Sequence, residues 1–297
     1  MKPELMTKLA KPMLFSAALI WGTSFFIMKN ALDVMPVFFL LAIRFTAGAC
    51  LLALVCWKKW KDFTWDYLWR GAIIGGCLFL AYAVQTFGLA RTTPSKNAFL
   101  TAVYCVIVPF LYWLVTKERP RAHHILCVFL CLSGVGILSL SGGWGMSSGD
   151  LLTVLSGIPC AANIVISAIA CRNRNVLLLT TIELWVVTLL AWVLVFAGGG
   201  LPTGLPMDAL GGIVYLGLIA TALCLYMQSY GLKYAEPAIA GMLLSLESVF
   251  GVVFSIILYH ETITLRMVAG FAVIFLAILL SQWDGRLREK TYGFRNR

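Results

Sequence analysis

Long apolar runs follow one another along nearly the whole chain, and each ends at a charged residue, a proline or a glycine. A run holds about 20 residues, which is the length of helix needed to cross a hydrocarbon layer roughly 30 Å thick. The runs are too continuous for the alternating pattern of a membrane β-barrel, whereas a helix satisfies its own backbone hydrogen bonds in lipid. The pattern therefore predicts an all-α integral membrane protein with ten transmembrane helices, at residues 13–32, 36–57, 68–90, 94–116, 122–141, 150–171, 176–197, 208–231, 237–258 and 265–283.

Composition supports a chain embedded in lipid. Of the 297 residues, 61% are hydrophobic and only 12% are charged, which is not the composition of a soluble domain. The nine cysteines include no Cys-x-x-Cys pair, so neither a disulfide framework nor a metal site is predicted. The net charge of +10 comes from basic residues placed between apolar runs, which favours contact with lipid headgroups over binding of nucleic acid.

Lysine and arginine are distributed unevenly between alternate loops. Most of the 23 basic residues lie on the side of the N-terminus, including those at 58–61 and in the tail at 286–297. The positive-inside rule therefore predicts a multi-pass protein of the cytoplasmic (inner) membrane with both termini in the cytoplasm. Two termini on the same side require an even number of crossings, which agrees with ten helices.

A shift of 143 residues superimposes part of the first half on part of the second without a gap. The shift places Gln85, Gly88, Leu89, Pro94, Leu100, Val106 and Glu118 on Gln228, Gly231, Leu232, Pro237, Leu243, Val249 and Glu261. The sequence thus predicts two related five-helix repeats, at residues 1–141 and 142–285. Since five is odd, the second repeat is inverted in the membrane, and inverted repeats around a central cavity are a recurring architecture of secondary transporters.

Polar side chains recur at helical spacing in the third and fourth predicted helices. Asn97, Thr101 and Tyr104 share one face of the fourth helix. Tyr82 and Gln85 lie one turn apart on the third. Such groups face the protein interior or a water-filled cavity, because lipid would leave their hydrogen bonds unsatisfied. We expect them to bind substrate; the alternative is that they only join one helix to another.

Glu247 lies in the middle of the ninth predicted helix, where an ionised carboxylate facing lipid would be costly. The 143-residue shift superimposes it on Tyr104, so both residues are expected to flank one central cavity. Glu247 is expected to bind a substrate cation or to carry a coupling proton. A structural carboxylate that accepts hydrogen bonds from neighbouring helices is the alternative.

Three further residues stand out inside apolar runs. Arg44 and Glu183, one in each half, are interpreted as a structural ion pair or as side chains that extend to the membrane interface. Trp21 lies in mid-helix, where its ring can line the cavity. The histidines lie at helix ends and no nucleotide-binding or hydrolase motif is present, so neither an enzyme nor a cofactor is predicted.

Five stretches of the chain occur in a characteristic order, Trp21–Ser24, Arg44–Phe45, Asn97–Pro109, Lys117–Pro120 and Leu244–Glu261. In their order and spacing they resemble the EamA-type ten-helix transporters of the drug/metabolite transporter superfamily, over nearly the whole chain. Two positions depart from the family pattern. Ser248 stands where the family often has proline, and His260 where it usually has glycine.

The resemblance implies two inverted five-helix halves around a cavity lined chiefly by the first, third and fourth helices of each half. It adds Asn163 and either Tyr226 or Gln228 to the substrate-binding candidates. It also implies substrates such as amino acids, amines and other polar metabolites, which are often exported. The chain is therefore expected to be a secondary transporter whose partners are a small solute, lipid and, in one interpretation, protons. A non-transporting membrane scaffold or receptor, and a membrane-embedded enzyme, are the alternatives.

Overall fold

The computed structural model describes residues 3–117, 122–139, 146–198, 201, 209–235 and 237–283, and these residues form helices joined by short turns. The first half contains α1 (Pro3–Leu32), α2 (Val37–Cys56), a 3-10 turn (Trp57–Asp62), α3 (Trp65–Ala90), α4 (Pro94–Thr101), α5 (Tyr104–Thr116) and α6 (Ala122–Ser139). The second half contains α7 (Ser148–Ala170), α8 (Val176–Ala197), α9 (Leu210–Val214), a π-helical segment (Tyr215–Leu223), α10 (Cys224–Tyr234), α11 (Pro237–Leu258) and α12 (Leu265–Trp283).

Ten apolar segments are present in the described part of the chain, which confirms the predicted number. Seven are helices long and apolar enough to cross a membrane, and α6, α11 and α12 contain shorter apolar helices at His124–Ser139, Leu243–Leu258 and Leu265–Ser281. α4 and α5 together form one segment, and α9, the π-helical segment and α10 form another. Glu118 and the tail at 286–297 lie outside the described residues.

Capping residues begin two of the helices that surround the centre of the bundle. Oγ1 of Thr93 accepts a hydrogen bond from the backbone N–H of Lys96 at 3.5 Å, at the start of α4. Oγ of Ser147 accepts one from the backbone N–H of Asp150 at 3.1 Å, at the start of α7. These hydroxyls satisfy donors that a helix leaves unpaired in its first turn, so both helix starts are fixed locally.

Two segments that the sequence predicts as continuous helices contain irregular turns. A two-residue turn at Ala102 and Val103 separates α4 from α5. The segment from α9 to α10 contains the π-helical stretch Tyr215–Leu223, whose turns are about one residue wider than those of an α-helix. Within this stretch, Oγ1 of Thr221 donates to the carbonyl of Leu216, five residues earlier, at 2.7 Å. Apolar periodicity does not reveal either turn, because the residues on both sides remain apolar.

The pattern of helix packing is preserved when the two halves are exchanged. α1, the first helix of its half, packs against α11, the fourth of the other half, and α7 packs correspondingly against α4 and α5. α3 packs against α7 as α10 packs against α1, while α2 pairs with α8 and α6 pairs with α12. Inverted repeats produce this relation, and it places the first, third and fourth helices of both halves around the centre.

Candidate functional site

A cavity of about 60 Å³ lies in the middle of the bundle, between the two halves. A space of this size holds several water molecules. Its walls come from α1 to α5 of the first half and from α7, α10 and α11 of the second. The lining residues are Trp21, Ser24, Phe25, Met28, Arg44, Leu78, Tyr82, Gln85, Thr101, Tyr104, Cys160, Asn163, Ile164, Leu225, Gln228 and Glu247.

Most of the residues predicted to bind substrate are brought together in this lining. They are Trp21, Tyr82, Gln85, Thr101, Tyr104, Asn163, Gln228 and Glu247. The repeat relation is visible here as well, because Gln85 and Gln228, which the 143-residue shift superimposes, both line the cavity. Binding of substrate by these side chains stays a prediction.

Hydrogen bonds fix the polar groups of the first half in the cavity wall. Nε2 of Gln85 in α3 donates to Oγ1 of Thr101 at the end of α4, at 3.0 Å. Nε1 of Trp21 donates to the carbonyl of Ala220 in the π-helical segment at 2.7 Å, which ties α1 to the second half and orients the indole ring. These contacts preorganise the wall, because each side chain is held by a partner on another helix.

Tyr104 and Glu247 interact across the boundary between the halves. Both line the cavity, both are buried, and the Tyr104 side chain is close enough to interact with the Glu247 carboxylate. Among the described residues, no basic group lies within 4.0 Å of that carboxylate. Within the described part of the chain, Glu247 is therefore a buried carboxyl group that lines the cavity without an ion-pair partner, as expected for a group that meets a solute or a proton.

Asn97 and Tyr226, two predicted substrate-binding residues, lie outside the cavity lining. Nδ2 of Asn97 donates to Oγ1 of Thr153 at 2.8 Å and to a backbone carbonyl of α3 at 3.2 Å, so this side chain joins three helices. The ring of Tyr226 packs beside that of Tyr230, with 6.1 Å between ring centroids. Residues two apart on a helix point in different directions, so Gln228 rather than Tyr226 reaches the cavity.

The predicted ion pair between Arg44 and Glu183 is wrong for this structure. Arg44 in α2 donates from Nε to Oγ1 of Thr221 at 2.5 Å, whereas Glu183 in α8 accepts from Nδ2 of Asn163 at 2.9 Å. The pair does not form because Arg44 faces the cavity, while Glu183 faces α7 from outside the lining. Neither side chain extends to an interface, since their exposed fractions are 1% and 2%.

Sequence reasoning missed several members of the lining, although helical spacing contains a signal for most of them. Ser24, Phe25 and Met28 follow Trp21 at intervals of three, four and seven, which keeps them on its face of α1. Cys160 precedes Asn163 by three in the same way. Arg44 was interpreted as structural, and no local pattern in α2 shows that its side chain points to the centre.

In the described part of the chain, no residues are arranged to bind a metal ion or to form a disulfide. No group of three or more histidine, cysteine, aspartate or glutamate side chains is arranged there to hold a metal ion. The nine cysteines are free thiols. The polar chemistry of the cavity therefore rests on hydroxyl, amide, indole, guanidinium and carboxyl groups.

Comparison with known proteins identifies relatives along almost the full length of the chain. The model of the EamA-like transporter family matches twice, at residues 9–140 and 147–283. A protein of Archaeoglobus fulgidus named Uncharacterized transporter is 31% identical over 267 residues, which are 89% of this chain and 82% of that protein. Uncharacterized transporter YvbV of Bacillus subtilis is 23% identical over 282 residues, 88% of either chain.

A protein of known crystal structure shares the fold. The two structures superpose with a TM-score of 0.71 over 94% of this chain and 98% of the other, at 16% sequence identity. At that identity the likeness concerns the fold alone, and it agrees with a bundle of ten helical segments. The family model matches each half of the chain once. This chain therefore belongs to the EamA-like transporter family, in the drug/metabolite transporter superfamily, and is a multi-pass membrane protein built from two repeats.

Proposed function

We propose that the protein is a secondary carrier that exports a small polar metabolite, such as an amino acid, an amine or a related compound, by alternating access. The observation that carries this proposal is the polar cavity between two packing-equivalent halves. A site shared by inverted repeats can be exposed to one side of the membrane and then to the other when the halves exchange conformations. The inner-membrane location with cytoplasmic termini is part of the same proposal and rests on the basic loops.

One end of the bundle is held closed by a polar network. Nζ of Lys29, in the last turn of α1, donates to the backbone carbonyls of Leu89, Ala90 and Thr92 at 2.9, 3.1 and 3.0 Å. Oγ1 of Thr92 donates to the carboxylate of Asp150 at 2.5 Å. The network therefore connects α1, the α3–α4 turn and the start of α7.

Two further contacts complete this network. Nζ of Lys96 lies 3.4 Å from Oδ2 of Asp150, which joins α4 to α7. Glu261 accepts hydrogen bonds from the backbone N–H and Oγ of Ser95 at 3.2 and 2.5 Å, which joins α4 to the chain that follows α11. All of these contacts lie at the end of α3 that contains Ala90.

A second network closes the opposite end. Asp66, in the first turn of α3, pairs with Arg70 at 2.8 Å and with Arg174 in the turn between α7 and α8. Nζ of Lys233 donates to the carbonyl of Arg174 at 2.6 Å, and the hydroxyl of Tyr67 accepts from the backbone N–H of Asn175 at 2.9 Å. Asp66 and Ala90 lie near opposite ends of the 26-residue helix α3, so the two networks are about 36 Å apart at a rise of 1.5 Å per residue. Alternating access requires a gate on each side of the site, and the position of the two networks supports a role as these gates.

Transport itself is tested with the purified full chain in liposomes. The vesicles are loaded with one unlabelled candidate at a time, and uptake of the same labelled compound measures counterflow. We expect saturable counterflow with at least one amino acid, amine or related metabolite. Absence of counterflow for every compound, in vesicles that contain folded protein, contradicts a metabolite carrier. A scaffold or receptor would give that result.

A further inference from the structure

Arg44 is a buried cation in the cavity wall whose hydrogen-bonding capacity is incompletely used. The residue is 1% exposed and lines the cavity from α2. Nε donates to Oγ1 of Thr221 at 2.5 Å and Nη1 to the sulfur of Met28 at 3.1 Å, whereas Nη2 is buried without a hydrogen-bond partner among the described residues. An arginine side chain has five N–H donors and is always charged. A buried charge that lacks a partner is costly, so this guanidinium has capacity for an incoming acceptor.

The described side chains do not supply a carboxylate for Arg44. No aspartate or glutamate of this part of the chain lies within 4.0 Å of the guanidinium. Glu247 lines the same cavity and remains separate from Arg44. Glu183, which the sequence assigned to Arg44, is bound to Asn163. The cavity thus contains a guanidinium and a carboxyl group that form no ion pair within 4.0 Å among the described residues.

Neighbouring groups hold the guanidinium in a fixed orientation. Its Cζ lies 4.8 Å from the centre of the Tyr82 ring and 5.6 Å from that of Phe45. Thr221 is itself anchored, because its hydroxyl donates to Leu216 within the π-helical segment. Aromatic rings therefore stabilise the charge, and a widened helix turn directs one hydroxyl to Nε. A fixed, planar fork of donors is the arrangement that recognises a carboxylate with two oxygens.

We propose that Arg44 binds the carboxylate of the transported solute through Nη2. This inference rests on the proposed transport function and specifies its substrate as a compound that bears a carboxylate. Arg44 is the one basic side chain among the described residues of the lining, so it matches the single charge of a carboxylate better than the double charge of a phosphate. The carboxylate is placed at the Arg44 wall because Nη2 is the buried donor in the lining that has no partner among the described residues. The cavity is small for a whole metabolite, so it must widen to admit the rest of the solute, which is consistent with gated access.

The test compares matched pairs of carboxylates and carboxamides on the purified full chain. The probes are alanine with alaninamide, propionate with propionamide and benzoate with benzamide, together with inorganic phosphate. Thermal stabilisation at up to 50 mM gives an apparent dissociation constant for each. We expect at least one carboxylate to bind at least tenfold more tightly than its amide, because the neutral amide carries no negative charge to pair with the guanidinium. Equal stabilisation within every pair, no stabilisation by any carboxylate, or preference for phosphate overturns the proposal.

Variants of Arg44 test whether this residue causes the preference for a carboxylate over its amide. Arg44→Gln is expected to raise the apparent dissociation constant of the preferred carboxylate by about 10- to 100-fold and to leave that of its amide within about threefold. Arg44→Lys keeps the charge and is expected to retain part of the preference. Arg172→Gln removes an exposed arginine instead and serves as the matched control. A purely structural arginine would weaken the amide and the carboxylate equally, which contradicts the proposal.

The preference for a carboxylate over its amide is measured on the wild-type protein, so the proposal remains testable if Arg44→Gln does not fold. Counterflow separates this inference from the transport proposal. Counterflow of amines or uncharged solutes without carboxylate preference refutes the Arg44 assignment and leaves the carrier intact. Carboxylate binding that depends on Arg44, without counterflow of any compound, supports the binding site and refutes the carrier.

Discussion

A β-carbon placed on Gly22 would lie 2.4 Å from the β-carbon of Phe250 and 2.9 Å from its carbonyl carbon. α1 and α11 therefore touch through Gly22, next to Trp21 in the cavity wall. The obstructing atoms belong to the backbone or are fixed to it, so a change of rotamer cannot create the space. This contact joins the first helix of one half to the fourth helix of the other, where the halves would move relative to each other.

Gly22→Ala is expected to destabilise the protein by about 1–3 kcal/mol, because the added methyl group forces α1 and α11 apart. Thermal unfolding of the detergent-solubilised protein measures this as a lower midpoint. Gly76→Ala is the matched control, since no atom lies within 4 Å of a β-carbon at that position. There, replacing glycine in a helix is expected to be neutral or to stabilise by up to about 1 kcal/mol. Equal midpoints for the two variants would show that the helices do not pack through Gly22.

His260→Gly is expected to stabilise the protein by about 1 kcal/mol. His260 follows α11 with φ at 53°, in the left-handed region where a β-carbon is unfavourable and glycine is not. The EamA-type pattern has glycine at this place, so the backbone geometry accounts for the family preference. Thermal unfolding again gives the measurement. Thr262→Gly, two residues later and without a positive φ, should lower the midpoint or leave it unchanged. If the unfolding midpoint of His260→Gly is at or below that of wild type, the backbone of His260 is not strained.

Cys160 is the natural reporter of access to the cavity. It lines the cavity from α7, whereas Cys105 is 1% exposed and packs in an apolar cluster outside the lining. With the other eight cysteines replaced, Cys160 is expected to react with a membrane-impermeant thiol reagent from both sides of oriented vesicles. A chain that retains only Cys105 should react at least tenfold more slowly. Labelling of Cys160 from one side alone, under every condition of solute and pH, contradicts alternating access.

The two end networks predict opposite shifts in that labelling. Asp150→Asn removes the charge that Lys96 and Thr92 contact, so the end of α3 near Ala90 should open more readily. Hydrogen bonds to charged groups contribute about 1.5–3 kcal/mol, which corresponds to a population shift of roughly 10- to 100-fold. Asp66→Asn weakens the opposite network and should increase labelling of Cys160 from the other side. Increased labelling from the same side in both variants would mean that the mutations only loosen the bundle.

The helices of this protein could be predicted from sequence because hydropathy is a local property. Each of the ten segments is distinguished by its own residues, and the inverted relation follows from counting them. The turn at Ala102 and the π-helical segment could not be predicted, because they depend on how neighbouring helices pack. The extra residue in the π-helical turn leaves the composition of the segment unchanged.

The candidate site was only partly predictable, for a related reason. Polar spacing identified the inward face of α3, and the repeat placed Tyr104 opposite Glu247. Asn97 satisfies the same spacing rule and yet joins helices, since its nearest acceptor, Thr153, lies on α7. Arg44 could not be assigned, because its partners come from three other helices. A sequence pattern shows which side chains avoid lipid, but not which of them find partners inside the protein.

Glu247→Gln is expected to reduce transport more than tenfold, because the variant keeps the shape of the side chain and removes its charge. Glu183→Gln is the matched control, since Glu183 is equally buried, lies outside the cavity lining, and can be replaced by an amide that still accepts from Asn163. Counterflow and net transport are measured for both variants across pH 5–9.

The same measurements distinguish the two roles of Glu247. If its carboxyl group carries a coupling proton, Glu247→Gln should abolish transport driven by a proton gradient and its pH dependence while counterflow persists. If the carboxylate binds a cationic group of the solute, counterflow should be lost as well, and affinity should fall for amines but not for solutes without an amino group. Equal effects of the Glu247 and Glu183 substitutions, in proteins of equal thermal stability, would place the essential carboxylate outside the cavity and refute both roles.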